Sequence, residues 1–151
     1  MRLEEAIKQS KGFKDEWQKA LLNIIYTGNW IYGHQTKNLK HYGISPEQYN
    51  ILRILKGQHP NPATVNLLKE RMLDKMSNAS RLVEKLRQKN YVERKECKED
   101  RRSVDVKITD HGLAILKAIN QQGMVENEIL REKINEEEAQ ALNTILDKIR
   151  S

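Results

Sequence analysis

Apolar residues recur three or four positions apart over long stretches of this chain. From Trp17 to Tyr32 this spacing predicts a first helix that continues to about Leu39. The segment Ser-Pro-Glu-Gln, from Ser45 to Gln48, supplies an N-cap, a proline at the first helical position and a capping-box glutamine. A second helix is therefore expected to begin there and to stop near Gly57. Its predicted inward-facing residues are Tyr49, Leu52, Ile54 and Leu55.

Two shorter helices joined by a tight turn are predicted next. The segment 59–62 contains two prolines, so it is expected to form a turn or a short extended segment. Thr64 is the expected N-cap of the first short helix, and a break around Leu73 precedes the second. Asp74 is a candidate N-cap for that second helix, which would set the register of Ser77 and Asn78. The apolar residues assigned to the two helices are Leu67, Leu68, Met72, Ala79, Leu82, Val83 and Leu86.

A pair of strands follows these helices. Apolar and polar residues alternate from Val104 to Ile108, with the period of two expected for a strand that has one buried face. Tyr91 begins the partner strand, after Asn90 ends the preceding helix in the left-handed conformation. The polar stretch 96–103 between the strands is predicted to project as a solvent-exposed loop.

Two further helices complete the predicted order. Thr109 is the expected cap of the first, whose apolar residues run from Leu113 to Ile129. Asn135 and Glu138 form a capping box for the last helix. The predicted fold class is therefore mostly α with a small β-hairpin wing, in the element order of a winged helix-turn-helix.

Composition and charge exclude several classes of protein and point to an anionic partner. A chain of 151 residues suits one domain, and its single cysteine excludes an internal disulfide, so a reducing cytoplasm is the expected location. Neither a signal peptide nor the roughly 18 apolar residues of a membrane span is present. The net charge is +6; residues 64–111 carry 13 basic and 9 acidic groups, whereas residues 112–151 carry 5 and 7. An anionic partner is expected to face the middle of the chain.

The polar residues of this middle segment have the chemistry needed to read DNA. A recognition helix presents its N-terminal half to base edges, where Asn reads adenine and Arg reads guanine. Lysines contact phosphates as point charges, and an arginine at a hairpin tip enters a narrow minor groove. Asp100 is expected to hold this tip rigid. The candidate DNA-binding residues are Ser77, Asn78, Ser80, Arg81, Lys75, Lys85, Asp100, Arg101 and Arg102.

Two segments resemble the MarR family of bacterial transcriptional regulators. Residues 64–86 are similar to its helix-turn-helix, and residues 100–112 carry the Asp-x-Arg tip and closing Thr-x-x-Gly of its wing. Lys69, Asp74 and Lys75 depart from the family's usual residues. The resemblance, over roughly residues 17–150, implies a homodimer that places two winged domains on a pseudo-palindromic site of double-stranded DNA.

The resemblance also implies a division of the chain and a small-molecule effector. Residues 1–151 form a single domain, with 44–111 as the winged helix-turn-helix and 1–43 and 112–151 as the helical dimerisation part. The expected function is that of a ligand-responsive repressor with its effector between these two parts. The candidate effector residues are Tyr26, Trp30 and Tyr49, although core or dimer packing is the favoured role of each.

Other interpretations depend on isolated residues. Cys97 could act as a redox switch, but Glu96 and Glu99 oppose a thiolate and an inert thiol is favoured. A winged-helix module that binds an acidic protein is the alternative to DNA binding. No glycine-rich phosphate loop or catalytic spacing appears, so neither an enzyme nor a cofactor is predicted. A metal-responsive regulator would need the histidines, which lack tight ligand spacing, so no metal site is assigned; they are His34, His41, His59 and His111.

Overall fold

The computed structural model describes residues 1–100, 102–122 and 127–151. Helices predominate, and a small antiparallel sheet lies in the middle of the chain. The elements are α1 (Leu3–Ala6), α2 (Glu16–Leu39), a 3-10 turn (Lys40–Tyr42), α3 (Pro46–Gln58), β1 (Ala63–Thr64), α4 (Val65–Arg71), α5 (Ala79–Gln88), β2 (Val92–Glu96), β3 (Val104–Ile108), α6 (Asp110–Gln121), α7 (Glu128–Arg131) and α8 (Glu136–Arg150). The predicted winged helix-turn-helix order is confirmed.

The helices begin at side-chain caps that the sequence predicts. Ser45 Oγ accepts from the Gln48 backbone N–H, and the Gln48 side chain returns a bond to the Ser45 N–H, which completes a capping box. Thr64 caps α4 and Thr109 caps α6 by the same kind of hydroxyl contact. Asn135 begins α8 with a second predicted capping box. These caps fix where α3, α4, α6 and α8 start, and hence which face α3, α4 and α6 bury.

The sheet has three strands in the order β1-β3-β2, one more than the predicted hairpin. β2 and β3 pair in register from Val92 opposite Ile108 to Glu96 opposite Val104. The additional strand β1 pairs Ala63 with Val106 on the other side of β3. A strand of two residues is too short for an alternation of apolar and polar positions to show, and the sequence predicted a turn or short extended segment only over residues 59–62, directly before β1.

The helix predicted from Leu113 to Ile129 was wrong in its extent. α6 ends at Gln121, and Ile129 lies on the separate short helix α7. The apolar spacing stops after Ile119, where three consecutive amide side chains begin at Asn120. Periodicity alone therefore joined two helices across an interval that begins with polar residues, of which Gln121 and Gln122 are exposed.

The core lies between α3, α4, α5, α6 and the sheet. A close approach ties α6 to the end of α5: a Cβ placed on Gly112 would lie 2.3 Å from the Tyr91 carbonyl oxygen. Asn90 has φ 59°, as predicted, and this left-handed residue turns the chain from α5 into β2. The fully buried large side chains are Leu39, Ile51, Leu52, Leu55, Leu68, Met72, Leu86, Leu116, Ile119, Val83, Val92 and Val106.

Large apolar side chains remain exposed on the two outer helices. α8 has no buried residue at all, and α2 buries only Leu39 at its end. In the described part of the chain, no helix combines the length and the apolar character needed to cross a bilayer. The exposed apolar residues of these two helices are Trp17, Leu21, Ile24, Ile25, Trp30, Tyr32, Leu142, Ile145 and Ile149.

Candidate nucleic-acid interface

Helix α5 has one apolar face and one polar face. Ala79, Val83 and Leu86 are buried against the core at helical spacing. The opposite face presents Ser80, Arg81 and Lys85 to solvent, and the first two lie in the first turn. A recognition helix presents base-reading groups at this end. The structure thus brings three of the candidate residues together on the exposed face of α5.

The start of α5 differs from the prediction. Asn78 is the N-cap, with its Oδ1 3.1 Å from the Arg81 backbone nitrogen, and Ser77 lies before the helix rather than within it. Asp74, the candidate cap, instead accepts from the Met76 N–H at 2.9 Å and from the Ser77 hydroxyl at 2.7 Å. These two hydrogen bonds, that from Ser77 first, hold the pKa of Asp74 below its ordinary value. An aspartate that folds its own turn in this way is not free to cap a helix.

Capping constrains what Asn78 can offer to a base. Its carboxamide oxygen has two lone pairs, and the Arg81 N–H takes one of them. A bidentate contact with adenine needs that oxygen together with the amide NH₂. Asn78 can therefore read adenine while it caps α5 only if its oxygen accepts two hydrogen bonds, one from the Arg81 N–H and one from the base.

Two of the candidate lysines have different surroundings. The Lys75 ammonium donates to the Glu70 carbonyl at the end of α4, so it serves as a cation at a helix C-terminus. Lys85 is exposed on α5 and lines a groove beside Lys89. Lys89 in turn donates to the Gly43 carbonyl, which ties α5 to the turn before α3. Lys85 is the better placed of the two candidates to reach a phosphate.

The wing loop is held by its own hydrogen bonds. Asp100 Oδ1 accepts from the Arg102 backbone N–H at 2.9 Å, and the Asp100 carbonyl accepts from the Ser103 N–H at the same distance. Asp100 thus makes hydrogen bonds within the loop, of the kind expected of a residue that orders it. Arg102 is exposed, Cys97 is half-buried at the base of the loop, and the predicted Arg101 lies outside the described residues.

A polar cavity of about 220 Å³ lies between α4, α5 and the wing. Lys69, Arg94 and Arg102 contribute three cationic side chains to its lining. Lys69 and Arg94 were not among the predicted site residues. Lys69 lies on the exposed side of α4, whereas Arg94 is exposed although the strand period places it on the same face of β2 as the buried Val92. The full lining is Val65, Asn66, Lys69, Ser80, Val83, Arg94, Arg102, Ser103 and Val104.

An ion pair joins α5 to the wing beside this cavity. Glu84 contacts Arg87 at 2.7 Å and Arg94 at 3.1 Å. Its hydrogen bond with Arg87, followed by the charge of Arg87 and the hydrogen bond with Arg94, lowers the pKa of Glu84 from 4.5 to about 2. The carboxylate is therefore charged at every pH at which the protein would meet DNA. It sets the position of the Arg94 guanidinium relative to α5 and partly neutralises it.

The turn between α4 and α5 exposes two large apolar side chains that the sequence analysis did not single out. Leu73 is 86% exposed and Met76 is 93% exposed. The Leu73 backbone N–H donates to Asn50 Oδ1 of α3 at 2.9 Å, which anchors the start of the turn to the core. The spacing of Leu68 and Met72 extends the apolar stripe of α4 to Met72, but a turn has no period, so the sequence pattern does not place Leu73 or Met76.

The three candidate effector residues do not share one environment. Tyr49 is buried in the core and its hydroxyl donates to Asn120 Oδ1 at 3.2 Å. Tyr26 is half-buried and Trp30 is about half exposed, both on α2. Within the described ranges, no three of the residue types His, Cys, Asp and Glu lie close enough together to hold a metal ion.

Comparison with known proteins shows sequence similarity to the MarR family and structural similarity to the fold of its members. Residues 42–103 match a family model described as MarR family. The chain is 26% identical over 121 residues to the HTH-type transcriptional regulator MhqR of Bacillus subtilis, covering 79% of this chain and 81% of that protein. It superposes on AbsC, a MarR family transcriptional regulator from Streptomyces coelicolor, with a TM-score of 0.79 and 21% identity, covering 93% and 96% of the two chains. A mutant MarR from E. coli in complex with operator DNA gives 0.75 and 21%, covering 92% and 99%.

Proposed function

Because residues 42–103 match a MarR family model and the fold is that of MarR family regulators, we propose that this chain is a member of that family and binds a pseudo-palindromic DNA operator as a homodimer. In this proposal α5 enters the major groove and the wing reaches the adjacent minor groove. The E. coli relative whose structure contains operator DNA has the same fold, which supports this orientation.

The observation that carries the proposal is the cationic cavity between α5, α4 and the wing. The wall of a DNA groove is a phosphate backbone, so a protein that reads both grooves must accommodate phosphates between its two reading elements. Lys69, Arg94 and Arg102 surround a space of about 220 Å³ at this position. Phosphate contacts there would fix the register in which Arg81 meets a base edge.

Dimerisation is supported by the exposed apolar surface of α2 and α8. Trp17 is 83% exposed and Ile145 is 58% exposed, although residues of this kind are usually buried. An apolar surface of this kind on two long helices is typical of an interface between subunits. Two copies joined there would present two α5 helices to successive major grooves, about 34 Å apart.

Regulation by a ligand follows from the same arrangement. A small molecule that binds between the outer helices and the winged part would favour one separation of the two α5 helices over another. If the favoured separation does not match the groove spacing, DNA affinity falls and a repressed gene is released. Tyr26 and Trp30 are the candidates on α2 to line that site, and Tyr49 reaches it only if it leaves its core position.

The function is tested by fluorescence anisotropy with the full chain. The probes are a duplex from upstream of its own coding region and a shuffled duplex of the same composition, each over a salt series. Tight binding to the first duplex only is expected. Arg81→Ala should lose roughly 1–3 kcal/mol on the preferred duplex and relax its sequence preference, because Arg81 reads a base.

Arg102→Ala and a matched surface variant complete the test. Arg102→Ala should weaken binding and lower the salt slope by about one, as expected for loss of a phosphate or minor-groove contact. Lys117→Ala removes an exposed cation from α6 and should change neither quantity. Equal binding to both duplexes would contradict sequence-specific recognition, and no binding to either would favour an acidic protein as the partner.

A further inference from the structure

Met76 is an apolar side chain without a place in the core. It is 93% exposed, whereas Met72, four residues earlier, is 1% exposed. Leaving a methionine side chain in water forgoes roughly 1.5–3 kcal/mol relative to burying it. Met76 also lies two residues before the N-cap of α5, at the end of the helix that carries Arg81.

The turn holds Met76 in one backbone conformation. Asp74 Oδ1 accepts from the Met76 N–H at 2.9 Å, and Asp74 Oδ2 accepts from the Ser77 hydroxyl at 2.7 Å. Asn50 anchors the same turn to α3 through the Leu73 N–H. Because the backbone is already fixed, a contact made by Met76 costs the entropy of its side chain but no further backbone entropy.

The surroundings of Met76 match DNA. Lys75 comes directly before it, Arg81 lies in the first turn of α5, and the intervening exposed residues are polar. The apolar surface suited to a second copy of the chain lies elsewhere, on α2 and α8. Met76, like Leu73 in the same turn, is an exposed apolar group close in sequence to cations and hydrogen-bonding groups. Such a group complements the major groove, where the thymine 5-methyl group is the apolar feature.

We propose that Met76 packs against the 5-methyl group of a thymine in each half-site, so that the turn before α5 contributes to sequence preference. The proposal rests on the proposed function, since it requires α5 to lie in a major groove. It adds an apolar contact to a site otherwise composed of cations and hydrogen-bonding groups. Removing one buried methyl group from such a contact should weaken binding about fourfold.

The test replaces thymine by deoxyuridine, which lacks only the 5-methyl group. The full chain first selects a duplex from a random library, and each thymine of one half-site is then replaced in turn. Wild-type protein should bind one of the substituted duplexes about fourfold more weakly. Met76→Ala should bind the thymine and deoxyuridine duplexes equally well, because its methyl contact is already lost.

Two variants control for the loss of apolar surface. Met76→Leu should keep the preference for thymine over deoxyuridine. Leu73→Ala, which removes the neighbouring exposed side chain of the same turn, should keep it as well. All four proteins should have one oligomeric state in analytical ultracentrifugation, and a change caused by Met76→Ala would assign the side chain to a contact between copies.

The possible failures are distinguishable. If no duplex is selected, the proposed function fails and the thymine contact fails with it. If a duplex is selected but no deoxyuridine weakens binding, or if Met76→Ala keeps the full penalty, sequence-specific binding stands and the contact proposed for Met76 is overturned.

Discussion

Helices α5 and α8 are both amphipathic, but the apolar face of α5 is buried and that of α8 is exposed. α5 buries Ala79, Val83 and Leu86 within its own chain and exposes polar residues. α8 buries none of its residues and leaves Ile145 and Ile149 about 60% exposed. The apolar face of α5 is therefore buried by its own chain, whereas the apolar face of α8 is not buried by the residues that the structure describes.

Charge divides the two regions in the same way. The segment 64–111, which contains α5, has an excess of basic residues, while the segment 112–151, which contains α8, has an excess of acidic ones. A phosphate backbone is attracted to the first and repelled by the second. The surface proposed for DNA and the surface proposed for a second copy are therefore separate, so each can be altered without direct damage to the other.

The largest effect is expected from a charge placed on the apolar face of α8. Ile145→Lys would bury an ammonium group in the proposed dimer interface, twice because of its symmetry. The dimer should lose at least about 3 kcal/mol, which is roughly a hundredfold in its dissociation constant. Analytical ultracentrifugation over a concentration series measures this, and DNA affinity should fall with it.

A control on the other face of the same helix isolates the interface effect. Gln140→Lys adds the same charge at an exposed polar position of α8 and should leave the dimer intact. If both variants behave alike, or if wild-type protein is a monomer at every concentration, the apolar face of α8 is not an interface. The chain would then have no dimer surface on α8 to set apart from the DNA surface proposed on α5.

Sequence predicted the winged part well because its signals are local. Caps such as Ser45, Thr64 and Thr109 need only a side-chain oxygen and a nearby backbone N–H, and all three were confirmed. β1 and the end of α6 were missed for physical reasons. The first is two residues long, and the second ends in a polar interval that periodicity does not resolve.

The candidate site was harder to predict than the fold. Ser80, Arg81 and Lys85 could be placed from helical spacing, since they lie opposite a buried stripe. The cavity that includes Lys69 and Arg94 could not, because it depends on the packing of three elements distant in sequence. The start of α5 was also misplaced, since Asp74 and Asn78 are both good N-caps and only the folded turn decides between them.

A smaller effect is expected where α5 begins. Asn78→Ala removes the cap on the Arg81 N–H and should cost about 1 kcal/mol in the free energy of unfolding, measured in urea. Asn78→Ser keeps a capping oxygen and should restore most of that stability. If Asn78 also reads adenine, the serine variant should remain stable yet lose the preference for that base. Equal stability of the alanine variant and wild type would contradict the observed cap.

The smallest effect concerns the ion pair that joins α5 to the wing. Arg87, followed by Arg94, lowers the pKa of Glu84 to about 2, so the carboxylate should titrate near pH 2 in an NMR titration of the folded protein. Because this pKa is below its ordinary value of 4.5, the stabilisation is present above about pH 4.5 and is lost as the pH falls toward 2. Arg87→Gln should raise the pKa more than Arg94→Gln, since Arg87 makes the stronger hydrogen bond. A wild-type pKa near 4.5 would mean that α5 and the wing are not joined through Glu84, and that Arg94 is free to contact DNA without a competing carboxylate.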